Sequence, residues 1–293
     1  MHFLLLCILS STAIFVVFKS VHRFNLPVFP VIVINYLTAT LLGFLVYSGG
    51  RSWQAISSAG WLPISILIGI LFIIMFFLVG ISTRKAGISV TTTASKMSVV
   101  FPIVFSLAID PADQLTLLKS AAVAMALGGV ALTVYRPDGF HREGGVILFP
   151  LLLFLGMGLV DSLVKLAQQR YVRDDETALF SAVLFMNAFA SGAVVAVADH
   201  RHAYRFLKPA VWGWGILLGI VNFGSLFFLV RALNFTTPAG SGMDGSVIFG
   251  ANNISVVALS VLVGLLVFKE KLLVINWMGV ILSALSLFLF TLL

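Results

Sequence analysis

The chain has 293 residues, 60% of them apolar and only 10% charged, whereas an ordinary soluble protein carries roughly 25% charged residues. Its net charge is +7, yet the basic residues stand in short gaps between apolar runs, which fits topology signals and not a nucleic-acid patch. Cys7 is the single cysteine, so an intrachain disulfide and a cysteine metal cluster are both excluded.

About 20 mostly apolar residues cross ~30 Å of hydrocarbon as a helix. Ten such runs are predicted, at 2–21, 29–48, 61–82, 88–108, 115–134, 145–165, 177–198, 211–231, 240–267 and 273–292. They are continuously apolar, not alternating, and far longer than the ~10 residues of a barrel strand. Backbone groups in lipid must then pair within each segment, as α-helix. The predicted fold class is an all-α polytopic membrane protein of ten transmembrane helices, with no gap long enough for a soluble domain.

The first span opens M-H-F-L-L-L-C-I-L, without a basic leader or a small-residue cleavage site, and reads as a span and not a removable signal peptide. It closes on Lys19, where two readings stand together: snorkelling of the stem to the interface, or contact with a substrate. Asn35 interrupts the second span. The fourth begins S-V-T-T-T-A-S-K-M-S and holds Lys96 about eight residues in, roughly 12 Å deep at 1.5 Å per residue. A central lysine costs about 2.5–3.5 kcal/mol on insertion scales, and such residues face a cavity or a partner. The sixth span carries Asp161 one turn before Lys165, a spacing that allows a local pair. Asn187 and Asn222 interrupt the seventh and eighth spans, and Arg231 closes the eighth. The ninth opens A-G-S-G-M-D-G-S, with Asp244, and continues through Asn252 and Asn253. Asparagines in a bundle serve as helix–helix glue or as ligand contacts. Neighbours on a helix point about 100° apart, so one member of the Asn252-Asn253 pair can face a cavity while the other packs.

The halves echo each other. F-F-L-V recurs at 76–79 and 227–230; D-Q-L-T-L-L at 113–118 matches E-K-L-L-V-I at 270–275; F-K-S ending the first span matches V-K-L ending the sixth. Five spans per half is an odd number, so the second half is predicted to lie upside down relative to the first, an architecture whose substrate site falls near the midplane. The repeats divide at 1–138 and 139–293. In the F-F-L-V register Asp244 matches Thr93, within a turn of Lys96, and the two charged residues are expected to face each other across the cavity. Pro102 matches Asn253, a level expected to act as a hinge in gating.

On these residues, namely Lys19 and Lys165, Asp113 with Leu115, and Glu270 with Leu272, the chain resembles the EamA-like branch of the drug/metabolite transporter superfamily. The resemblance covers nearly the whole chain. It implies a basket around a central cavity, spans five and ten at the periphery, both termini in the cytoplasm, and export or exchange of small metabolites. The chain departs from the family where Thr-Thr-Pro-Ala-Gly at 236–240 replaces the Arg-Lys-Ala-Gly turn of the first half. The charge count also points the other way on orientation. Eleven basic residues follow odd-numbered spans and six lie by even-numbered gaps, with Lys96 apart. That bias puts both termini outside.

The expected function is secondary transport of a small metabolite by alternating access in a bacterial cytoplasmic membrane. Lys19, Lys96 and Lys165 outnumber Asp161 and Asp244 around the expected cavity, which suggests a carboxylate- or phosphate-bearing substrate such as an amino acid or organic anion. Either acid could carry a coupling proton. A flippase for a lipid-linked headgroup is the alternative within transport, and an intramembrane enzyme the alternative outside it. No phosphate-binding loop occurs, and all five histidines fall at or beyond span ends. No cofactor, metal or nucleic-acid partner is expected; the partners are the substrate and membrane lipid, with monomer and homodimer both open.

Overall fold

A computed structural model describes residues 2–46, 56–101, 116–135, 147–172, 176–198, 205–233 and 245–290. Among these residues there are ten helices and no strand. They are α1 (His2–Arg23), α2 (Val28–Val46), α3 (Leu62–Lys85), α4 (Ile88–Met97), α5 (Leu117–Val134), α6 (Leu148–Arg170), α7 (Thr177–Ala198), α8 (Pro209–Leu233), α9 (Gly245–Leu266) and α10 (Val274–Phe290). Each falls on one of the ten apolar runs. Five are long and apolar enough to cross a membrane by themselves: α1, α2, α3, and the greater parts of α7 and α8.

Side chains that a soluble protein would cover lie open here. Ile66, Ile70, Ile74 and Phe77 repeat along the outside of α3, and Leu5 and Leu9 along α1, all more than a third exposed. One-turn spacing of that kind makes an apolar stripe. Extended exposed stripes mark a surface meant for another apolar phase, and lipid is the phase that composition indicates.

The interior is organised by pairs. The α5–α10 pair, α1 on α8, α2 on α7 and on α8, and α3 on α6 and on α7 carry much of the helix packing; α4 packs on α6 and α9, and α1 on α9. Local chemistry sets the ends. Proline stands in the first turn of α3, at Pro63, and opens α8, at Pro209, where a missing N–H costs nothing. The α1 end closes through Asn25 in the left-handed region (φ 51), with Leu26 N–H bonded to Val21 O and Asn25 N–H to His22 O, both at 3.0 Å. These are the two bonds of a Schellman cap.

α4 is interrupted within the run at 88–108. It stops at Met97, turns through Ser98 and Val99, and resumes helical at Val100 and Phe101. Hydroxyls bonded back to carbonyls give the cause: Thr91 to Gly87 O at 2.7 Å, Thr93 to Ser89 O at 2.9 Å and Ser98 to Ser95 O at 2.7 Å. Such bonds compete with the helix ladder and bend it. Pro102, Asp113, Asp244 and the 236–240 segment lie outside the described residues, as does the side chain of Lys165, so the expected Lys96–Asp244 pairing, the hinge at Pro102 and the Lys165 contact fall there too.

Candidate functional site

α4 is enclosed by α1, α3, α5, α6, α9 and α10, and from Ile88 to Met97 every residue is buried except Lys96. That lysine, in the last turn of α4, keeps some accessible surface. Asp161 of α6 does the same. An ammonium group and a carboxylate in such a place each need either an ion partner or water. They do not form a direct ion pair with one another, although each lies within electrostatic reach of the other. Both are covered only in part, within the bundle.

The residues around them come from four helices. Ser98 Oγ stands 2.8 Å from Asp161 Oδ2, tying the turn after α4 to α6. Cys7 of α1, 1% exposed, lies within electrostatic reach of Lys96. Its sulfur is 3.2 Å from Asn252 Oδ1 of α9 and 3.2 Å from the Ser225 carbonyl of α8. Buried hydroxyls of Thr12 and Thr92 have no partner among the described residues. Thr92 precedes Lys96 by one turn on α4, so both lie on one face. Polar groups left unmet in a dry core are uncommon, and Thr92 puts one of them on the Lys96 side of α4.

The asparagines divide. Asn252 reaches this cluster through Cys7, and Asn253 is buried next to it. The side-chain amides of Asn222 and Asn35 meet at 3.1 Å, joining α8 to α2, and Asn187 donates to Ser65 Oγ at 2.9 Å, joining α7 to α3. Those two bridge helices. Cys7 is the residue that sequence reasoning passed over. A lone cysteine in an apolar span looks like a small hydrophobe, and no spacing signal could have linked it to Asn252.

Lys19 stands elsewhere. Its Nζ lies 3.0 Å from Glu270 Oε1 and donates to the Thr83 carbonyl at 3.2 Å. The Glu270 carboxylate also accepts the Ile88 N–H at 2.7 Å, the Ser89 N–H at 3.3 Å and the Ser89 hydroxyl at 3.1 Å. It thus caps the start of α4 from a distant part of the chain, because the residue at the cap position is Gly87, which has no side chain to offer. An acid at a helix N-terminus meets both unpaired N–H groups and the positive end of the dipole. The chain is folded to deliver it: Lys269 adopts φ 52, and the Glu270 N–H bonds back to Gly264 O at 2.9 Å. Gly87 (φ 94) and Gly264 make the room, since a Cβ on either would come within 2.8 Å of the carboxylate. Lys19, Glu270 and Ser89 form a latch that fastens α1, the α3 end, the α4 start and the segment after α9 at one face of the bundle.

Beside the latch is a cleft of about 480 Å³ lined by Lys19, His22, Arg23, Arg84, Lys269, Val267 and Phe268. Among the described residues no group of three or more metal-ligating side chains is present.

No family model matches the chain. It is 27% identical to an uncharacterised protein of Haemophilus influenzae, across 98% of this chain and 97% of that one. A solved crystal structure of a protein superposes with a TM-score of 0.59 at 14% identity, covering 98% of this chain and 97% of the other. That likeness is one of fold, along nearly the full length of both chains.

Proposed function

We propose that this chain is a secondary transporter of a small anionic metabolite, of the drug/metabolite transporter type, with ten membrane-spanning helices in two inverted halves. The observation that carries the reading is Lys96. It alone on an otherwise buried helix keeps accessible surface, amid polar groups drawn from α1, α6, α8 and α9. Ionisable residues within a helix bundle face a partner or a cavity, and a cavity is the reading proposed for Lys96.

The packing supports the inverted halves. Exchanging each helix with the one five places on carries α1–α8 into α6–α3, α2–α8 into α7–α3 and α1–α9 into α6–α4, while α2–α7, α4–α9 and α5–α10 map onto themselves. Direction supports it as well. The α1 end meets the α8 start through Phe24 and Trp214, with ring centroids 5.6 Å apart. The α3 start lies at the other face, where Trp61 donates to Glu176 beyond the end of α6, at 3.2 Å. So α3 and α8, equivalent helices, run in opposite directions. The latch closes one mouth, and Lys96 receives the anionic group of the substrate. The excess of basic residues favours a cytoplasmic latch face with both termini outside, whereas the family resemblance favours cytoplasmic termini.

A thermal-shift screen of the purified protein against a metabolite panel tests this, because a ligand that binds only the folded state raises its melting temperature. A carboxylate or phosphate ligand is expected to stabilise the wild type, to lose that effect in Lys96→Ala, and to be taken up by proteoliposomes. A stabilising ligand that Lys96→Ala binds equally well, or that proteoliposomes never accumulate, contradicts the reading.

A further inference from the structure

The cleft beside the latch has a charge pattern that the latch does not use. Lys19, Arg23, Arg84 and Lys269 bring four permanent cations to one cleft of about 480 Å³, with His22 between them. Lys19 is the one that has a carboxylate within ion-pair distance among the described residues. That carboxylate, Glu270, is 10% exposed, already holds the α4 N–H groups and does not line the cleft. Like charges gathered in one cleft repel, and an anion placed among them would relieve that repulsion. The four come from three separate segments, the α1 end, the α3 end and the turn after α9. The fold assembles them; no single basic run does.

The rest of the lining is apolar. Val267 is 56% exposed, and it adjoins Leu266 at 76%; Phe24, beside Arg23, is 60% exposed. The cleft therefore joins cations to uncovered apolar surface where spans α1, α3 and α9 end. Basic pockets between membrane helices hold anionic headgroups for this reason, and planar guanidinium groups match phosphate oxygens two at a time.

We infer that this cleft is a binding site for a phosphate group, held by Arg23, Arg84 and Lys269, separate from the Lys96 site and independent of the transport reading. The shared chemistry is a phosphate with oxygens free to accept forked donors. It can come from an anionic phospholipid headgroup or from a soluble phosphate.

The test follows the melting temperature of the purified full chain in two titrations: phosphatidylglycerol added to phosphatidylcholine vesicles, and inorganic phosphate added in phosphatidylcholine alone. Stabilisation by phosphatidylglycerol assigns the headgroup as the source; stabilisation by inorganic phosphate assigns the free ion. In either arm, Arg84→Gln with Lys269→Gln is expected to move the titration midpoint about thirtyfold higher, from two lost surface cations. Lys85→Gln is the control, because its ammonium sits over the Phe149 ring, 4.7 Å from the centroid, and does not line the cleft. The effect is expected to fade once salt shortens the Debye length to about 3 Å. If neither titration stabilises the wild type, the site does not exist. If Lys85→Gln weakens the response as much as the double variant does, the effect is diffuse surface charge and the assignment falls. Should the double variant not fold in phosphatidylcholine, Arg23→Gln is read in its place against the same control.

Discussion

At residue scale the most informative position is Gly87. Its φ of 94 lies where an L side chain is strained, at about 1–3 kcal/mol. A Cβ there would also stand 2.8 Å from Glu270 Oε1, pushing the carboxylate off the α4 N–H groups. Gly87→Ala is therefore expected to lower stability by at least about 1 kcal/mol, seen as a lower melting temperature. Gly213 of α8 has open space around the same atom, so Gly213→Ala is expected to be neutral or stabilising by up to about 1 kcal/mol, the helix preference for alanine. Equal losses at both positions would contradict the tight cap. The latch also marks how far the sequence could be read. Lys19 and Glu270 each stood out as a charge at the end of an apolar run. Their contact did not, because it joins opposite halves of the chain, and no local periodicity reports a pairing across that distance. Lys96 was legible for the opposite reason: its cost depends on its own surroundings, which the neighbouring residues already display.

At the scale of helices, the α5–α10 pair shows how small residues set an approach distance. A Cβ on Gly129 would meet Ser283 N at 2.9 Å and Gly279 O at 3.1 Å; one on Gly279 would meet Gly129 O at 2.8 Å. Asn276 then bonds three carbonyls at the α5 end, those of Leu132, Thr133 and Tyr135, between 2.8 and 3.1 Å. Ser286 donates to Ala122 O at 2.7 Å. Lipid gives helices no hydrophobic reason to associate, so close backbones and such bonds carry the contact. Gly279→Leu is expected to force the pair apart and cost about 1–3 kcal/mol or more, again measured by melting, while Leu285→Ala, at a position 49% exposed on α10, changes it little. The existence of all ten helices was legible from run length. The turn at Ser98 and Val99 was not, since the run is as apolar there as many that stay helical; the hydroxyl bonds that turn it depend on rotamers.

At the scale of the whole molecule, the latch and the interior cluster make a joint claim about motion. If the proposed alternating access holds, the Lys19–Glu270 contact must break while a path to Lys96 opens to that face. The latch grips α4 by its first N–H groups, and Lys96 lies on that same helix, so loosening one end frees the element that carries the other site. The lone cysteine makes the claim measurable. In a Cys7→Ser background, which keeps a hydrogen-bonding group near Asn252, Lys96→Cys puts a thiol where side-chain surface is accessible. A membrane-impermeant maleimide applied to sealed vesicles of known sidedness then reports the water path from each face. With the latch intact, labelling from the latch face is expected to be slow. Adding Lys19→Met removes the ion pair, leaves the Glu270 cap in place, and is expected to speed labelling several-fold from that face and not from the other. The direction of the effect decides the matter, because loss of fold would raise reactivity from both faces together. Equal rates with and without Lys19 would mean that the ion pair fastens the structure without gating it.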